Sequence, residues 1–223
     1  MVFMNFDFIF SNFSIIVLAV WLAFFLVVFA RTFKPSWIGN ISYRGLIVVA
    51  ISIHLLYGAV ATWGQYIVWS KSEFTKVFLS SALSADVPFP SYLEFLRPLF
   101  DGAHGYFAFY SFQHFFLSTI ALLVVTGLFY LVLVARARYR SFNFREGDIM
   151  LIVLAMLISG WPGVIVLLPI GLISAILLSL GARVLYGIER IPLPPAFLLA
   201  APLALLFAIP ILTALHLYPL LKL

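Results

Sequence analysis

The sequence predicts an all-α integral membrane protein, a polytopic helical bundle with about six membrane segments. Its composition is 65% hydrophobic and only 9% charged, and a soluble domain could not cover that much apolar surface with so few polar groups. Long runs without any charged residue also recur along the chain. About 20 helical residues cross a hydrocarbon core about 30 Å thick, so these runs are predicted to be membrane helices.

Five such runs are long enough to cross the bilayer. They are Phe8–Ala30, Gly45–Ser70, Gly102–Ala135, Ile149–Ala182 and Ile191–Leu221. The fourth is too long for one upright helix, and the Gly-Trp-Pro-Gly sequence at Gly160–Gly163 is a strong helix-breaking signal. We therefore expect a short helix over about Asp148–Trp161, a tight turn, and a second helix over about Val164–Leu180. This hairpin brings the count to six segments.

The basic residues fall in alternate loops and predict the orientation. They are Arg31, Lys34 and Arg44, then Arg136, Arg138, Arg140 and Arg145, then Arg183 and Arg190. The positive-inside rule places these three loops in the cytoplasm, and both termini and the loop at 71–104 outside it. Without a reversal at Gly160–Gly163, the last two arginines would face outward, so the charges favour the hairpin. The net charge of +5 is thereby assigned to orientation in the membrane and not to nucleic-acid binding.

The extra-cytoplasmic loop at 71–104 is the one polar region of any size. Its segment Ser72–Leu83 can form an amphipathic helix capped by Ser72. The span that follows is rich in Phe and Tyr over Gly105–Tyr130. Lipid anchoring and core packing account for this enrichment better than an aromatic ligand site does.

Several classes of chemistry are excluded by residue types. The chain has no cysteine, which excludes disulfides, iron–sulfur clusters, zinc thiolates and cysteine nucleophiles. It has no P-loop, no His-Glu-x-x-His and no Gly-x-Ser-x-Gly. No metal and no cofactor are predicted.

The histidines give no metal site. His104 and His114 would lie about three turns apart on one helix, too far to share an ion. We interpret His54, in the middle of a span, as a neutral imidazole bonded to a neighbouring helix. The alternative is a haem, quinone or proton-relay site, with His54 and His114 on facing helices.

One acidic residue stands at the edge of a membrane segment. Arg145-Glu-Gly-Asp148 marks the point where a cytoplasmic loop enters the fourth run. Asp148 suits the N-cap or first turn of the helix, where free N–H groups and the helix dipole favour a carboxylate. Acidic residues at membrane depth are also costly and frequently functional. We expect Arg183 or Arg190 to be its cationic partner.

Three features, in order, give the C-terminal half a family resemblance. Gly147-Asp148 opens a helix, Gly160-Trp161 ends it, and Ile191-Pro-Leu-Pro-Pro195 precedes the last span. From about Phe144 to Ala204 the chain thus resembles the second half of the prepilin peptidases (type IV leader peptidases). The resemblance implies an aspartic-type endopeptidase of the inner membrane, with Asp148 as a catalytic acid and prepilin or other pilus and secretion proteins as partners. It divides the chain into N-terminal membrane helices at 1–135 and a prepilin-peptidase-like region at 136–223.

The sequence departs from that family at its catalytic centre. Arg145 stands where the first glycine of Gly-x-Gly-Asp belongs, and Pro194 replaces the glycine of the final motif. The family uses two aspartates that share one site, which pushes their pKa values apart. No first aspartate is found on the cytoplasmic side, and Glu189 is the best second acid beside Asp148. We therefore expect a divergent or inactive relative.

A second class of function stays open beside the peptidase. The chain can be a non-enzymatic membrane scaffold, or a subunit of a pilus or secretion machinery. A transporter comes third, because the lack of formal charge along the spans argues against a proton- or ion-coupled one.

Overall fold

The computed structural model describes residues 11–37, 39, 41–84, 87, 89, 91–139, 146–187 and 193–221. These residues form helices and connecting turns, with no strand among them. The helices are α1 (Phe13–Phe33), α2 (Tyr43–Ser70), α3 (Glu73–Leu79), α4 (Gly105–Tyr139), α5 (Glu146–Ser159), α6 (Gly163–Tyr186), α7 (Leu193–Ala214) and α8 (Tyr218–Leu221). A π-helical turn at Phe112–Phe116 interrupts α4. Short 3-10 helices occupy Pro35–Trp37 and Ser91–Phe100.

The predicted fold class is confirmed. Five helices, α1, α2, α4, α6 and α7, are long and apolar enough to cross a membrane. The shorter apolar helix α5 has 14 residues and rises about 21 Å, which is less than the hydrocarbon thickness. The protein is therefore a polytopic helical membrane bundle with five full-length spans and one short segment. The expected start of the first segment at Phe8 lies outside the described residues.

The predicted hairpin is present at Gly160–Gly163. Helix α5 ends at Ser159, and Gly160 has φ 64°, in the left-handed region that favours glycine. The Val164 N–H donates to the Gly160 carbonyl at 2.8 Å and opens the next helix. The Trp161–Pro162 peptide in the turn is cis.

The second helix of the hairpin is longer than predicted. Helix α6 continues past Leu180 to Tyr186, so Gly181 lies inside it. Gly187 ends it at φ 66°, and its N–H bonds back to the carbonyls of Ala182 and Arg183. This is the usual glycine stop of a helix.

The last apolar run is broken, which the sequence analysis did not predict. Helix α7 ends at Ala214, His216 has φ 56°, and the Leu217 N–H donates to the Leu212 carbonyl at 2.9 Å. Such a six-to-one bond satisfies a terminal carbonyl of the ending helix. The chain then turns into α8, and the Leu221 carbonyl accepts a hydrogen bond from the Trp161 indole at 2.9 Å.

The chain divides into two units in space. The α5 unit comprises residues 1–53 and 119–222, and the aromatic unit comprises residues 54–118. The boundary passes through α2 and α4, so each of these helices contributes to both units. The sequence division at residue 135 concerned family resemblance and stays a prediction.

The α5 unit is built around its shortest membrane helix. Every residue from Ile149 to Ser159 is buried, as expected for a helix that is apolar on all sides. The neighbouring helices α6 and α7 approach each other closely at small residues. A Cβ added to Gly171 would lie 2.9 Å from the ring of Phe197, and one added to Gly163 would meet the carbonyl oxygen of Ala204 at 3.5 Å. Small residues at such interfaces allow membrane helices to pack tightly.

The aromatic unit is held by ring contacts. Trp69 lies at its centre, with ring centroids 4.8 to 6.3 Å from four other rings. Those rings belong to Phe78, Tyr106, Phe107 and Tyr110. The predicted helix at Ser72–Leu83 is shorter, over Glu73–Leu79, and the Ser72 side chain makes no capping bond.

Candidate functional site

Asp148 lies in the first turn of α5, where the sequence analysis expected it. It is the third residue of the helix, since α5 begins at Glu146, and its side chain is half-buried. A carboxylate at this place interacts favourably with the free N–H groups and the positive end of the helix dipole. The position therefore has a structural explanation that requires no catalysis.

Three helices meet beside Asp148, at a cluster we call the Tyr43 junction (Arg31, Thr32, Tyr43 and Gly147). Gly147 lies against the Tyr43 ring, and a Cβ added there would be 3.6 Å from Tyr43 Cε2. The Tyr43 hydroxyl is 3.4 Å from Thr32 Oγ1, which itself donates to the Val28 carbonyl at 2.8 Å. The junction therefore fastens the end of α1 and the start of α2 to the start of α5.

Arg31 adds a cation to this junction. Its guanidinium lies 5.6 Å from the centroid of the Tyr43 ring, and its Nε donates to the Ile41 carbonyl at 2.8 Å. Contacts of this kind between a guanidinium and an aromatic face are favourable, more so away from water. The start of α5 thus combines a carboxylate, a phenol and an arginine within one end of the α5 unit.

The second carboxylate of the predicted pair is not found among the described side chains. In the α5 unit Asp148 is the one acidic residue whose side chain the structure describes. Glu189, the other candidate catalytic residue, lies outside the described residues, and of Glu146 only the backbone is described. The Asp148–Glu189 pair therefore stays a prediction.

The expected pairing of Asp148 with Arg183 meets a geometric obstacle. Helices α5 and α6 meet at the turn Gly160–Gly163, and Asp148 lies on α5 and Arg183 on α6. At a rise of about 1.5 Å per residue, Asp148 lies about 16 Å from the turn and Arg183 about 30 Å. Even if the two helix axes are parallel, the difference between these two distances is greater than the length that the two side chains can span. Arg190, the other expected partner, lies outside the described residues.

A groove opens between α2, α4 and α5, and we call it the Arg44 groove. Its volume is about 410 Å³. It is lined by Arg44, Ile47, Val48, Ile51, Leu123, Thr126, Gly127, Tyr130, Met150, Val153 and Leu157. The walls are apolar, with an arginine, a threonine and a tyrosine among them. Such a shape suits a ligand that has an apolar body and one polar group.

Thr126 is the unusual member of this lining. Its residue is 4% exposed, and its Oγ1 is buried without a hydrogen-bond partner in the described part of the chain. Buried hydroxyls are usually satisfied. Thr126 and Tyr43 were not among the site residues predicted from the sequence. The patterns that mark them are a polar Thr-Gly pair inside one apolar run and a Tyr-Arg pair directly before another apolar run.

His104 and His114 each lie within hydrogen-bond distance of a backbone carbonyl. The Nδ1 atom of His104 is 2.6 Å from the Leu79 carbonyl, and that of His114 is 3.0 Å from the Tyr110 carbonyl of its own helix. His114 also stacks on Tyr110, with ring centroids 4.0 Å apart. His54 is buried. Within the described ranges, no three acidic or histidine side chains come together as a metal site.

The candidate site therefore depends on the geometry of its own residues. Its parts are the Tyr43 junction, the half-buried Asp148 and the Arg44 groove, all within the α5 unit. No family model matches the chain, and no curated protein or solved structure shows a significant match to it.

Proposed function

We propose that this integral membrane protein is a non-enzymatic scaffold that holds partner helices in the bilayer. The observation that carries the proposal is the complete burial of α5 from Ile149 to Ser159. This core helix is fastened at one end by the Tyr43 junction and at the other by the bond from Trp161 to the Leu221 carbonyl. Asp148 then has a structural role at the helix start.

A divergent prepilin peptidase is the second candidate, and Gly147-Asp148 at a helix start favours it. An aspartyl mechanism requires two carboxylates within hydrogen-bond reach of one water. The described side chains of the α5 unit supply one. Because the sequence has Arg145 and Pro194 where that family has glycines, we infer that the chain is a poor or inactive prepilin peptidase, although it can still belong to a pilus or secretion machinery.

A peptidase assay separates the two candidates. Purified protein in detergent is incubated with a prepilin substrate, beside the variants Asp148→Asn and Glu189→Gln. We expect no cleavage in any of the three samples, while an active prepilin peptidase in the same detergent serves as the positive control. Robust cleavage by the wild type that is lost in both variants would establish an Asp–Glu peptidase instead.

The scaffold proposal also requires a surface for partner helices, and α6 offers one. A shallow groove of about 440 Å³ is lined by Leu172, Ala175, Ile176, Ser179, Leu180, Arg183 and Leu193. Ala175 and Ser179 are small and lie one turn apart, which lets another helix approach closely. Exposed aliphatic side chains such as Ile176 flank them. We propose this face of α6 as the contact for a partner helix.

Photo-crosslinking in the native membrane tests that surface. A photoreactive residue at Ile176 is expected to give a discrete protein adduct, and Ile15 of α1, which is equally exposed, is the matched control. Ser179→Leu should abolish the adduct by filling the groove. Adducts of equal yield at both positions, or an adduct that Ser179→Leu leaves unchanged, would contradict a specific partner surface.

The proposed orientation places the basic helix ends in the cytoplasm. In the α5 unit these are the end of α1 with Arg31, the start of α2 with Arg44, and the end of α4 with Arg136 and Arg138. The positive-inside rule supports this assignment. Reporter fusions at Asn40, Ala85, Asn143 and Leu223 should read in, out, in and out. A reporter at Leu223 that reads inside would contradict the six-segment topology.

A further inference from the structure

The Arg44 groove has a polar end and an apolar end. Gly147 packs on Tyr43, so α5 and α2 begin at the same end of the α5 unit. Helix α4 ends at Tyr139, shortly before α5 begins, and therefore reaches this end as well. Arg44, in the first turn of α2, thus lies at the polar end of the groove. Ile51 and Leu157 lie further along α2 and α5 and line its apolar end.

Thr126 lies between the polar end and the apolar end of this groove. In the same unit, Thr32 and Ser52 donate to the carbonyl four residues earlier, at 2.8 and 2.9 Å, which is how hydroxyls in membrane helices are usually satisfied. The Oγ1 of Thr126 makes no such bond. Helical threonines use two χ1 rotamers, and rotation about χ1 turns the hydroxyl into the groove. An acceptor supplied by a ligand would satisfy it.

At the polar end the described arginines outnumber the described carboxylates, of which Asp148 is the one in this unit, so the net charge there favours an anion. Arg44 is exposed there, and Arg136 and Arg138 stand in the last turn of α4 at the same end. A guanidinium binds phosphate through paired charge-assisted hydrogen bonds. Basic pockets between membrane helices are sites for anionic lipid headgroups. The net charge of +5 matches the negative surface potential of an anionic leaflet.

The groove offers polar side chains at more than one depth. Thr126 lies one helical turn from Tyr130, or about 6 Å along α4, and both residues line the groove. The groove of about 410 Å³ falls within the size range of sites for single small ligands.

We propose that the Arg44 groove holds one anionic glycerophospholipid, such as phosphatidylglycerol. Its phosphate binds Arg44, an ester carbonyl accepts a hydrogen bond from Thr126, and one acyl chain lies along Ile51, Leu123 and Leu157. This site is separate from the proposed helix-binding face on α6 and does not depend on the scaffold function.

The lipid that the purified protein retains in detergent shows directly whether the site binds lipid. The full chain is reconstituted in equal parts phosphatidylglycerol and phosphatidylcholine, extracted in mild detergent, and weighed with its lipids by native mass spectrometry. We expect one retained lipid per chain, with phosphatidylglycerol about tenfold enriched, because phosphatidylcholine presents the same phosphate but its choline cation cancels the net negative charge that the basic end attracts. Retention of both lipids in the proportion supplied would overturn the proposal, as would a protein dimer without lipid.

Three variants locate the binding. Arg44→Gln should abolish the enrichment, whereas Arg183→Gln, at an exposed arginine of α6 outside the lining, should preserve it. Thr126→Val should reduce retention while keeping the preference for phosphatidylglycerol. Unchanged enrichment in Arg44→Gln would overturn the assignment of the phosphate.

A groove-filling variant removes the site without touching a charge. A Cβ added to Gly127 would have no atom within 4 Å, and Gly127 lines the groove. Gly127→Leu should therefore fold, occupy the groove and retain no lipid, with size-exclusion elution unchanged. Full lipid retention by folded Gly127→Leu would show that the lipid binds elsewhere.

Discussion

Helices α1 and α5 are both strongly apolar, yet their surroundings are opposite. Helix α1 has 21 residues, of which only Trp21, Phe24 and Val28 are buried. Helix α5 has 14 residues, and all of those from Ile149 to Ser159 are buried. The two helices also differ in length, since α1 spans about 31 Å and α5 about 21 Å. A helix shorter than the hydrocarbon core places its end groups at membrane depth, where they need protein around them, and α5 is enclosed by protein over Ile149–Ser159.

The largest expected effect comes from truncating one leucine side chain on each of the two helices. Leu154→Ala on α5 removes a side chain that is 0% exposed, and we expect a loss of about 2–5 kcal/mol in the free energy of unfolding. Leu26→Ala on α1 removes a side chain that is 61% exposed. Lipid can fill the space that it leaves, so the expected loss in the free energy of unfolding is smaller. Thermal unfolding in the same detergent measures both. Equal shifts in Tm would mean that α1 is enclosed as fully as α5.

A smaller effect is expected where α6 meets α7. Gly171→Val places a side chain at 2.9 Å from the Phe197 ring, and overpacking of this kind costs about 1–3 kcal/mol. Gly181→Val on the same helix has nothing within 4 Å of its Cβ and is the matched control. We expect a lower Tm for the first variant alone. A tolerated Gly171→Val would show that α7 can shift away from α6.

The smallest effect concerns the start of α5. Asp148→Asn removes a charge near the helix N-terminus, which is worth about 0.3–1 kcal/mol. Asp101→Asn, at an exposed position before α4, is the control and should leave the free energy of unfolding unchanged. Chemical unfolding with circular dichroism resolves this difference. A loss of several kcal/mol would instead indicate that Asp148 belongs to a buried ion pair.

The sequence by itself determined the fold class and the hairpin. Apolar length predicts a membrane helix because the hydrocarbon core excludes unpaired backbone groups. The Gly160–Gly163 break could also be predicted from the sequence, since two glycines and a proline within four residues favour a turn over a continuous helix. The end of α6 was placed too early, because Gly181 resembles a helix stop in the sequence, whereas the glycine in the left-handed conformation is Gly187.

The tertiary structure decided which apolar surfaces meet protein and which polar groups come together. Hydropathy is the same for a lipid-facing and a protein-facing leucine, so the burial of α5 was not visible in the sequence. Tyr43 and Gly147 are far apart along the chain and meet only because α2 and α5 begin at one end of the unit. The Arg44 groove likewise needs side chains from three helices. Contacts between distant segments depend on helix packing, and local sequence patterns do not encode that packing.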